Sequence, residues 1–313
     1  MSSIAATPYE DLPGDLVAEL ADAGLDVRAV HAAIAAALAE DLPPAGHGVD
    51  VTSEATLPDI AVTGTFGARE DGVVAGLAIA ALTFAYVLGP DVKVTDRTPD
   101  GTGVRAGDVV MRVTGPVKGL LIAERTALNF ACHLSGVATA TAAWVAALQG
   151  TRARVLDTRK TLPGYRSLQK YAVRCGGGVN HRFSLTDMAL VKDNHVAAAG
   201  GVLPAYRAVR ERYPDLPVEV EVSDLDQLRT LLEAGCEQVL LDNMSTAMMI
   251  EAVALRDRLA EGRATLEASG GLTYDRAREV ALTGVDFISV GALTHSVKVF
   301  DLGLDLPEDV QES

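Results

Sequence analysis

The chain reads as an α/β protein in two parts: a first part with helices on an antiparallel sheet, and a second part that repeats strand and helix about six times. Three observations predict this. Ahead of residue 116 the β-like runs are few and separated by turns or by one long apolar stretch. Beyond Gly150, short apolar runs alternate regularly with helical stretches, and that alternation implies a parallel sheet. A length of 313 residues accommodates one large barrel or two ordinary domains. Six units suit either a barrel or an open doubly wound sheet, and they fall short of the usual eight.

Taken in order, residues 1–13 are polar and contain prolines, and are expected to form a loose arm. Leu16–Ala23 and Val27–Glu40 have helical periodicity, with Gly24 as the stop between them. A Pro/Gly-rich loop covers Leu42–Asp50. Val62–Arg69, Val92–Arg97 and Val109–Val113 read as strands, and the apolar stretch Val74–Val87 accommodates a helix. Leu120–Leu148 is helical with an expected interruption at Ser135–Gly136. The predicted parallel strands are Val155–Asp157, Met188–Val191, Val218–Val222, Gln238–Leu241, Leu266–Ala268 and Phe287–Val290. The predicted helices between them are Leu203–Tyr213, Asp224–Ala234, Thr246–Leu259 and Tyr274–Leu282, with Gly235 and Gly284 at C-cap positions.

Composition narrows the function. The net charge of −15 disfavours nucleic acid and anionic membrane surfaces as partners. Aromatic residues make up 4%, so a core must come from Ala, Val and Leu. Cys132, Cys175 and Cys236 have neither the even count nor the spacing of a disulfide framework or a zinc site. The N-terminal sequence has no secretion-signal pattern and Val30–Ala39 is too short for a bilayer, so the expected location is cytoplasmic. Within Arg152–Lys192, however, basic residues abound and only Asp157 and Asp187 oppose them. Such a concentration in an acidic chain points to an anion site.

Ligands of parallel α/β folds sit at the C-terminal ends of the strands. Those ends here read Asp157-Thr158-Arg159-Lys160, Lys192-Asp193-Asn194-His195, Glu219 and Glu221, Asp242-Asn243, Ser269-Gly270-Gly271, and Gly291-Ala292. Glycine ends admit a phosphate to backbone N–H groups. Glu221 and Asp242 offer oxygen ligands for Mg²⁺. The cations suit further anionic groups. A strand in a parallel sheet is covered on both faces, so acids at alternating positions 219 and 221 need a reason. His133 and Trp144 read as packing residues.

The run Asp157-Thr158-Arg159-Lys160-Thr161-Leu162-Pro163-Gly164-Tyr165-Arg166, with Lys170-Tyr171-Ala172-Val173, Gly176-Gly177-Gly178, His181-Arg182 and Lys192-Asp193-Asn194-His195, resembles the quinolinate phosphoribosyltransferase family. Glu124-Arg125-Thr126-Ala127-Leu128-Asn129, Glu219-Val220-Glu221-Val222, Leu241-Asp242-Asn243, Ser269-Gly270-Gly271 and Ser289-Val290-Gly291-Ala292 extend the resemblance over nearly the whole chain.

The resemblance implies an N-terminal α+β domain with an antiparallel sheet, from residues 1–128 plus 296–313. It implies a C-terminal incomplete α/β barrel over residues 129–295 that carries the active site. The implied activity transfers phosphoribosyl from 5-phosphoribosyl-1-pyrophosphate to quinolinate, with decarboxylation, in a homodimer or higher assembly that uses Mg²⁺. Lys160, Glu221 and Asp242 are the implied catalytic residues, the two acids also holding the metal. Arg125, contributed by a partner subunit, joins Thr158, Arg159, Lys160, His181, Arg182 and Lys192 around the substrates. Ser269, Gly270, Gly271, Val290, Gly291 and Ala292 form the implied 5′-phosphate site. The acidic tail Leu306–Ser313 is expected to be mobile. Rival readings are a nicotinate-specific transferase without decarboxylation, a Schiff-base aldolase using Lys192, and a non-catalytic phosphate-binding protein.

Overall fold

The computed structural model describes residues 4–307 except 44, 45 and 47. The expectation of a mobile tail concerns residues that, from 308 onward, lie outside the described set. Backbone packing divides the chain into two units. The first holds the described residues through Ala140, together with Ser167–Gly176 and the chain from Val297; the second holds Thr141–Arg166 and Gly177–Ser296.

The first unit opens with helices α1 (Gly14–Asp22), α2 (Val27–Asp41) and α3 (Val51–Thr56). Val27, Val30, Ile34 and Leu38 of α2 are buried at helical spacing, and Asp26 caps its first turn by accepting from Ala29 N at 3.1 Å. The strands are β1 (Ala61–Ala68), the short β2 (Gly72–Val73), β3 (Lys93–Thr95), the short β4 (Gly103–Val104) and β5 (Val109–Pro116). The closing strand β12 (Leu302–Asp305) returns to pair with β1, giving an antiparallel sheet in the order β12-β1-β5-β3. Val62, Phe66 and Ala68 of β1 alternate inward with the period of two that a one-sided sheet requires.

Helix α4 (Leu77–Leu88) is buried along its whole length. It starts at Gly76, which has no capping side chain, so Asp100 supplies the cap from a distance: its oxygens accept from Gly76 N at 2.7 Å and Leu77 N at 3.0 Å. The other end of α4 corrects the expectation of a loose N-terminal arm. Ala5 N and Thr7 N donate to the carbonyls of Val87 and Tyr86, and Thr7 Oγ1 donates to that of Ala85. The last carbonyls of a helix have no partner within it, and the arm satisfies them.

Helix α5 (Val117–Ala147) is continuous, which corrects the expected interruption at Ser135–Gly136. Ser135 faces the core, where its Oγ accepts from Ala75 N and donates to Ala75 O. Gly136 lies against the chain near Lys298, where an added Cβ would come within 2.3 Å of the Lys298 carbonyl oxygen. These residues serve close packing rather than a break. The helix is long and apolar enough to cross a bilayer by length and composition, yet 56% of its most apolar window is buried by the protein itself.

The packing boundary differs from the expected 128/129. Because α5 runs unbroken, the division falls within it, after Ala140. Helix α6 (Arg166–Cys175) joins the first unit because Tyr171 OH donates to Asp100 Oδ2 at 2.7 Å, Gln169 Nε2 lies 3.0 Å from His133 Nε2, and Arg174 reaches the carbonyl of Ala23.

The second unit is the repeating half. Its strands are β6 (Arg154–Leu156), β7 (Ala189–Val191), β8 (Val218–Val222), β9 (Gln238–Asp242), β10 (Thr265–Ser269) and β11 (Phe287–Ser289). All are parallel, in the order β6-β11-β10-β9-β8-β7. From β7 to β11 consecutive strands are neighbours, and the last, β11, pairs with the first, β6, as in a barrel. Among the described residues β6 and β7 do not pair, so the barrel is incomplete. Helices α7 (Asp193–Ala199), α8 (Val202–Arg212), α9 (Leu225–Glu233), α10 (Thr246–Ala260), α11 (Ala277–Ala281) and α12 (Ala292–His295) follow the strands. Gly235 and Gly284 have φ of +80° and +92°, the left-handed caps expected of them.

Candidate active site

Each of the six parallel strands delivers residues to one cavity of about 560 Å³ at their C-terminal ends. Beyond β6, Asp157 is fully buried and accepts from Asn180 Nδ2 at 2.6 Å and His181 N at 2.9 Å, so it fastens two loops together. Thr158 Oγ1 accepts from Lys160 N at 3.0 Å, and the Lys160 carbonyl accepts from Thr294 Oγ1 at 2.8 Å. With that backbone held from both sides, the side chains of Arg159 and Lys160 line the cavity. Arg159 Nε is buried without a hydrogen-bond partner. A buried donor left unpaired is costly, and an entering anion would satisfy it.

Arg182 and Lys192 complete the cationic lining. Arg182 Nη1 donates to the Met188 carbonyl at 3.1 Å, and burial together with the charge of Arg159 makes its guanidinium a stronger acid than usual. Of the other cations of the 152–192 segment, Arg152 pairs with Asp286, and Arg166 Nε donates to Thr161 Oγ1 at 3.2 Å.

Glu219 and Glu221 share a face of β8, and both turn away from the helices that cover Val218, Val220 and Val222. Glu221 enters the cavity with Asp242 from the end of β9. Burial, then the charge of Asp242, raises the Glu221 carboxyl above its ordinary value, against the pull of Lys192 and Lys160. Two carboxylates close enough to feel each other's charge are an oxygen donor set suited to Mg²⁺.

Beneath them lies a cluster the strand-end reading did not assemble. His181 Nε2 sits 3.0 Å from Glu219 Oε2 and 3.4 Å from Glu267 Oε2, and both carboxylates are buried. Burial disfavours a charged ring, but the two carboxylates outweigh it and draw a proton to the cluster. Arg182 N–H lies 2.7 Å from His181 Nδ1, while Nε2 faces the two carboxylates, which raise the ring to about 10. Burial and the charge of Glu267 in turn push the Glu219 carboxyl up. Glu267 was predicted only as part of a strand. The signal that marks it is the one read at Glu219, an acid inside a covered parallel strand.

Ser269, Gly270 and Gly271 line the cavity after β10. Gly270 has φ +92°, and an added Cβ would meet Asn243 Oδ1 at 2.4 Å. Asn243, itself at φ +52°, donates its N–H to the Ser269 carbonyl, so the two strand ends form one interlocked turn. At β11 the cavity is lined by Ser289 rather than by the expected 290–292 loop. Val290 is buried and its N–H donates to the Leu156 carbonyl, leaving neither for a phosphate. Gly291 packs on Lys160, where an added Cβ would lie 3.0 Å from Lys160 Cδ. Ala292 begins the short α12. Arg125 lies on α5 and lines a different cavity of about 660 Å³, with Arg69, His133 and Lys298 of the first unit.

The fold and this lining define an anion-handling α/β-barrel enzyme. Sequence profiles make the assignment specific. The profile described as quinolinate phosphoribosyl transferase, N-terminal domain, matches residues 50–135, and that of the C-terminal domain matches residues 137–305. The chain belongs to the quinolinate phosphoribosyltransferase family. The nicotinate-nucleotide pyrophosphorylase (carboxylating) of Mycobacterium leprae is 52% identical over 86% of this chain and 94% of its own length. The chloroplastic enzyme of that name from Arabidopsis thaliana is 41% identical over 91% of this chain and 84% of its own. The solved nicotinate-nucleotide pyrophosphorylase of Francisella tularensis superposes with a TM-score of 0.84 at 37% identity, over 90% of this chain and 98% of that one. Human nicotinic acid phosphoribosyltransferase, at 14% identity and a TM-score of 0.54, shares the fold alone.

Proposed function

We infer that this chain condenses quinolinate with 5-phosphoribosyl-1-pyrophosphate and decarboxylates the adduct, giving nicotinate mononucleotide, pyrophosphate and CO₂ in NAD biosynthesis. The observation that carries the reading is the convergence of Arg159, Lys160, Arg182 and Lys192 on one cavity with Glu221 and Asp242. In water a dicarboxylate and a polyphosphate repel each other. Shared cations remove that repulsion and hold the pair in reach.

As pyrophosphate leaves C1 of the ribose, Lys160 offsets the charge gathering on the leaving group, and the ribosyl carbon gains oxocarbenium character. Glu221 and Asp242 stabilise that positive charge. The pyridine nitrogen attacks C1. The alkylated ring is an electron sink, so the adjacent carboxylate leaves as CO₂. His181, Arg182 and Thr158 orient the quinolinate, and the Ser269–Gly271 turn receives the 5′-phosphate, with Gly291 and Ala292 beside it. Glu221 and Asp242 would hold Mg²⁺, which neutralises pyrophosphate charge when bound.

The active assembly is a homodimer in which Arg125 reaches the quinolinate of its partner. The placement of Arg125 in a cavity of its own unit, with Arg69, His133 and Lys298, rather than in the lining of the barrel cavity, supports this.

The deciding experiment supplies quinolinate or nicotinate with the phosphoribosyl donor and Mg²⁺ and measures pyrophosphate and CO₂. Equal release of both, dependent on quinolinate, is expected. Turnover of nicotinate alone would replace the substrate reading with the non-decarboxylating one. The aldolase alternative loses ground because Lys192 is solvent-exposed, without the apolar enclosure a Schiff-base lysine needs.

A further inference from the structure

One imidazole here carries two carboxylates on the same nitrogen. Glu219 on β8 and Glu267 on β10 each bring an oxygen to His181 Nε2, at 3.0 Å and 3.4 Å. The side chains of His181, Glu219 and Glu267 are 8%, 5% and 4% exposed. With the ring neutral and both acids ionised, the cluster would bury two negative charges with no cation between them, which is costly. One proton relieves this, and imidazole is intrinsically a stronger base than a carboxylate, so the ring takes it. Glu267 Oε1 is buried without a hydrogen-bond partner, so no donor on that side draws the charge of the carboxylate away from the ring.

We propose, on the quinolinate reading above, that Glu219 and Glu267 are positioning residues that hold His181 as an imidazolium in the floor of the substrate cavity, where it meets a carboxylate of the substrate. His181 lines that cavity together with Arg159, Lys160, Arg182 and Lys192. It also lines a second cavity, of about 290 Å³, that reaches Gln238, Thr265 and Phe287, the first residues of β9, β10 and β11. The ring therefore stands between the C-terminal ends of the strands, where substrate enters, and their N-terminal ends. Its backbone is fixed from a third strand end, because His181 N donates to Asp157 Oδ1 at 2.9 Å.

The four cations of the cavity oppose a fifth charge, as does burial, and a histidine among them without acidic partners would be neutral. Asp157, Glu221 and Asp242 supply negative charge from other strand ends, but the carboxylates on the ring itself are Glu219 and Glu267, and they reverse the balance. Arg182 N–H, 2.7 Å from Nδ1, suits the opposite form, a neutral ring with its proton on Nε2. The two forms differ in an observable: an imidazolium carries a proton on both nitrogens.

The test reads those nitrogens by ¹⁵N NMR of histidine-labelled protein, with the His181 signals identified by their loss in His181→Asn. Both should be protonated in the wild type at about pH 8, where an ordinary histidine is neutral. In Glu267→Gln the ring should give up its proton about 1–3 pH units lower than in the wild type. A wild-type ring with one bare nitrogen at that pH overturns the proposal. Between about pH 6 and pH 9 the quinolinate KM of Glu267→Gln should rise on the order of tenfold more than that of the wild type, the scale of one hydrogen bond to a charged group. The KM of the phosphoribosyl donor should keep its wild-type pH dependence. A packing lesion raises KM alike at every pH, so parallel quinolinate profiles are equally fatal. Glu219→Gln removes the other partner and carries the same expectations if Glu267→Gln does not fold. Wild-type protein that releases no quinolinate-dependent pyrophosphate would sink the functional reading, while the NMR result still decides the charge of the ring. Because ligand-capable atoms of His181, Glu219 and Glu267 lie within 4.8 Å of one another, the dialysed protein should also be assayed for metal. A stoichiometric ion lost in Glu267→Gln would take the place of the proton and end the proposal.

Discussion

Lys160→Ala tests the reading of the site most directly. The Lys160 backbone is held by Thr158 Oγ1 and Thr294 Oγ1, and Gly291 packs against its methylenes. Truncation therefore removes the ammonium while the turn stays in place. A charge-assisted contact made to the leaving group in the transition state contributes on the order of 2–4 kcal/mol in a preorganised site. At about 1.36 kcal/mol per decade, that is roughly a 30- to 1,000-fold fall in kcat/KM. Lys160 is exposed before substrate enters, so solvent screening takes part of this, and the lower part of the range is expected. The assay is steady-state CO₂ release with the phosphoribosyl donor varied. Arg152→Ala is the matched control: it removes another cation of the same segment, but one paired with Asp286, which keeps Arg256 at 2.6 Å. Its turnover should match the wild type. A Lys160→Ala enzyme within about threefold of wild-type kcat/KM, too small to represent a transition-state contact, would refute the role.

Three further outcomes are expected. Mixing Arg125→Ala with Lys160→Ala, each strongly impaired alone, should raise activity to as much as about a quarter of the wild type, since half of randomly mixed dimers are hybrids with one intact site of two; no gain over the separate variants despite demonstrated subunit exchange rules out a shared site. Gly270→Ala should lose about 1–3 kcal/mol in urea denaturation and raise KM for the phosphoribosyl donor, because φ +92° and a Cβ within 2.4 Å of Asn243 Oδ1 both oppose it; wild-type values in both would show that the turn is not held as described. Burial is the largest single influence on Asp187 and opposes its charge, but the N–H of Phe183 (2.6 Å), the hydroxyl of Ser184 (2.8 Å) and the N–H of Ser184 (2.8 Å) together hold its carboxyl down to about 2. A depressed carboxyl stabilises the folded loop above its unfolded value and loses that contribution as pH falls toward the folded one. Amide exchange at Phe183 and Ser184 should therefore stay protected through the ordinary carboxylate range and open only as pH approaches about 2; opening near 4, the usual value, would contradict the hydrogen-bond geometry.

The parallel half was legible because its signal is repeated. Six apolar runs, each followed by a helical stretch, fix strand direction while leaving barrel and open sheet both possible, and the chemistry then collects at predictable ends. The first half was legible element by element, but its misread points share a cause. Ser135 and Gly136 look like a helix break in one dimension. In three, Ser135 bonds to Ala75 and Gly136 makes room for the chain at Lys298, both distant in sequence. The arm at residues 5–7 looks loose until the unpaired carbonyls of α4, nearly eighty residues away, are seen to need its N–H groups. Long-range partners of this kind leave no local periodicity. Arg125 belongs to the same class, since only its matching motif, and no pattern in the surrounding helix, marks it.

The cluster under the cavity shows where local sequence does carry function. Barrel interiors are commonly filled by Val, Ile and Leu. Here Glu219, Gln238, Thr265 and Glu267 occupy inward positions on three adjacent strands, in register as Glu219–Gln238–Thr265 and Leu240–Glu267. Burying such groups sacrifices hydrophobic stabilisation, and each must find a partner. His181 answers for one oxygen of Glu219 and one of Glu267, and Glu267 Oε1 is left over. A protein selected for stability alone would fill that place with an aliphatic side chain. The departure from the apolar rule inside a parallel strand is visible in the sequence at both Glu219 and Glu267.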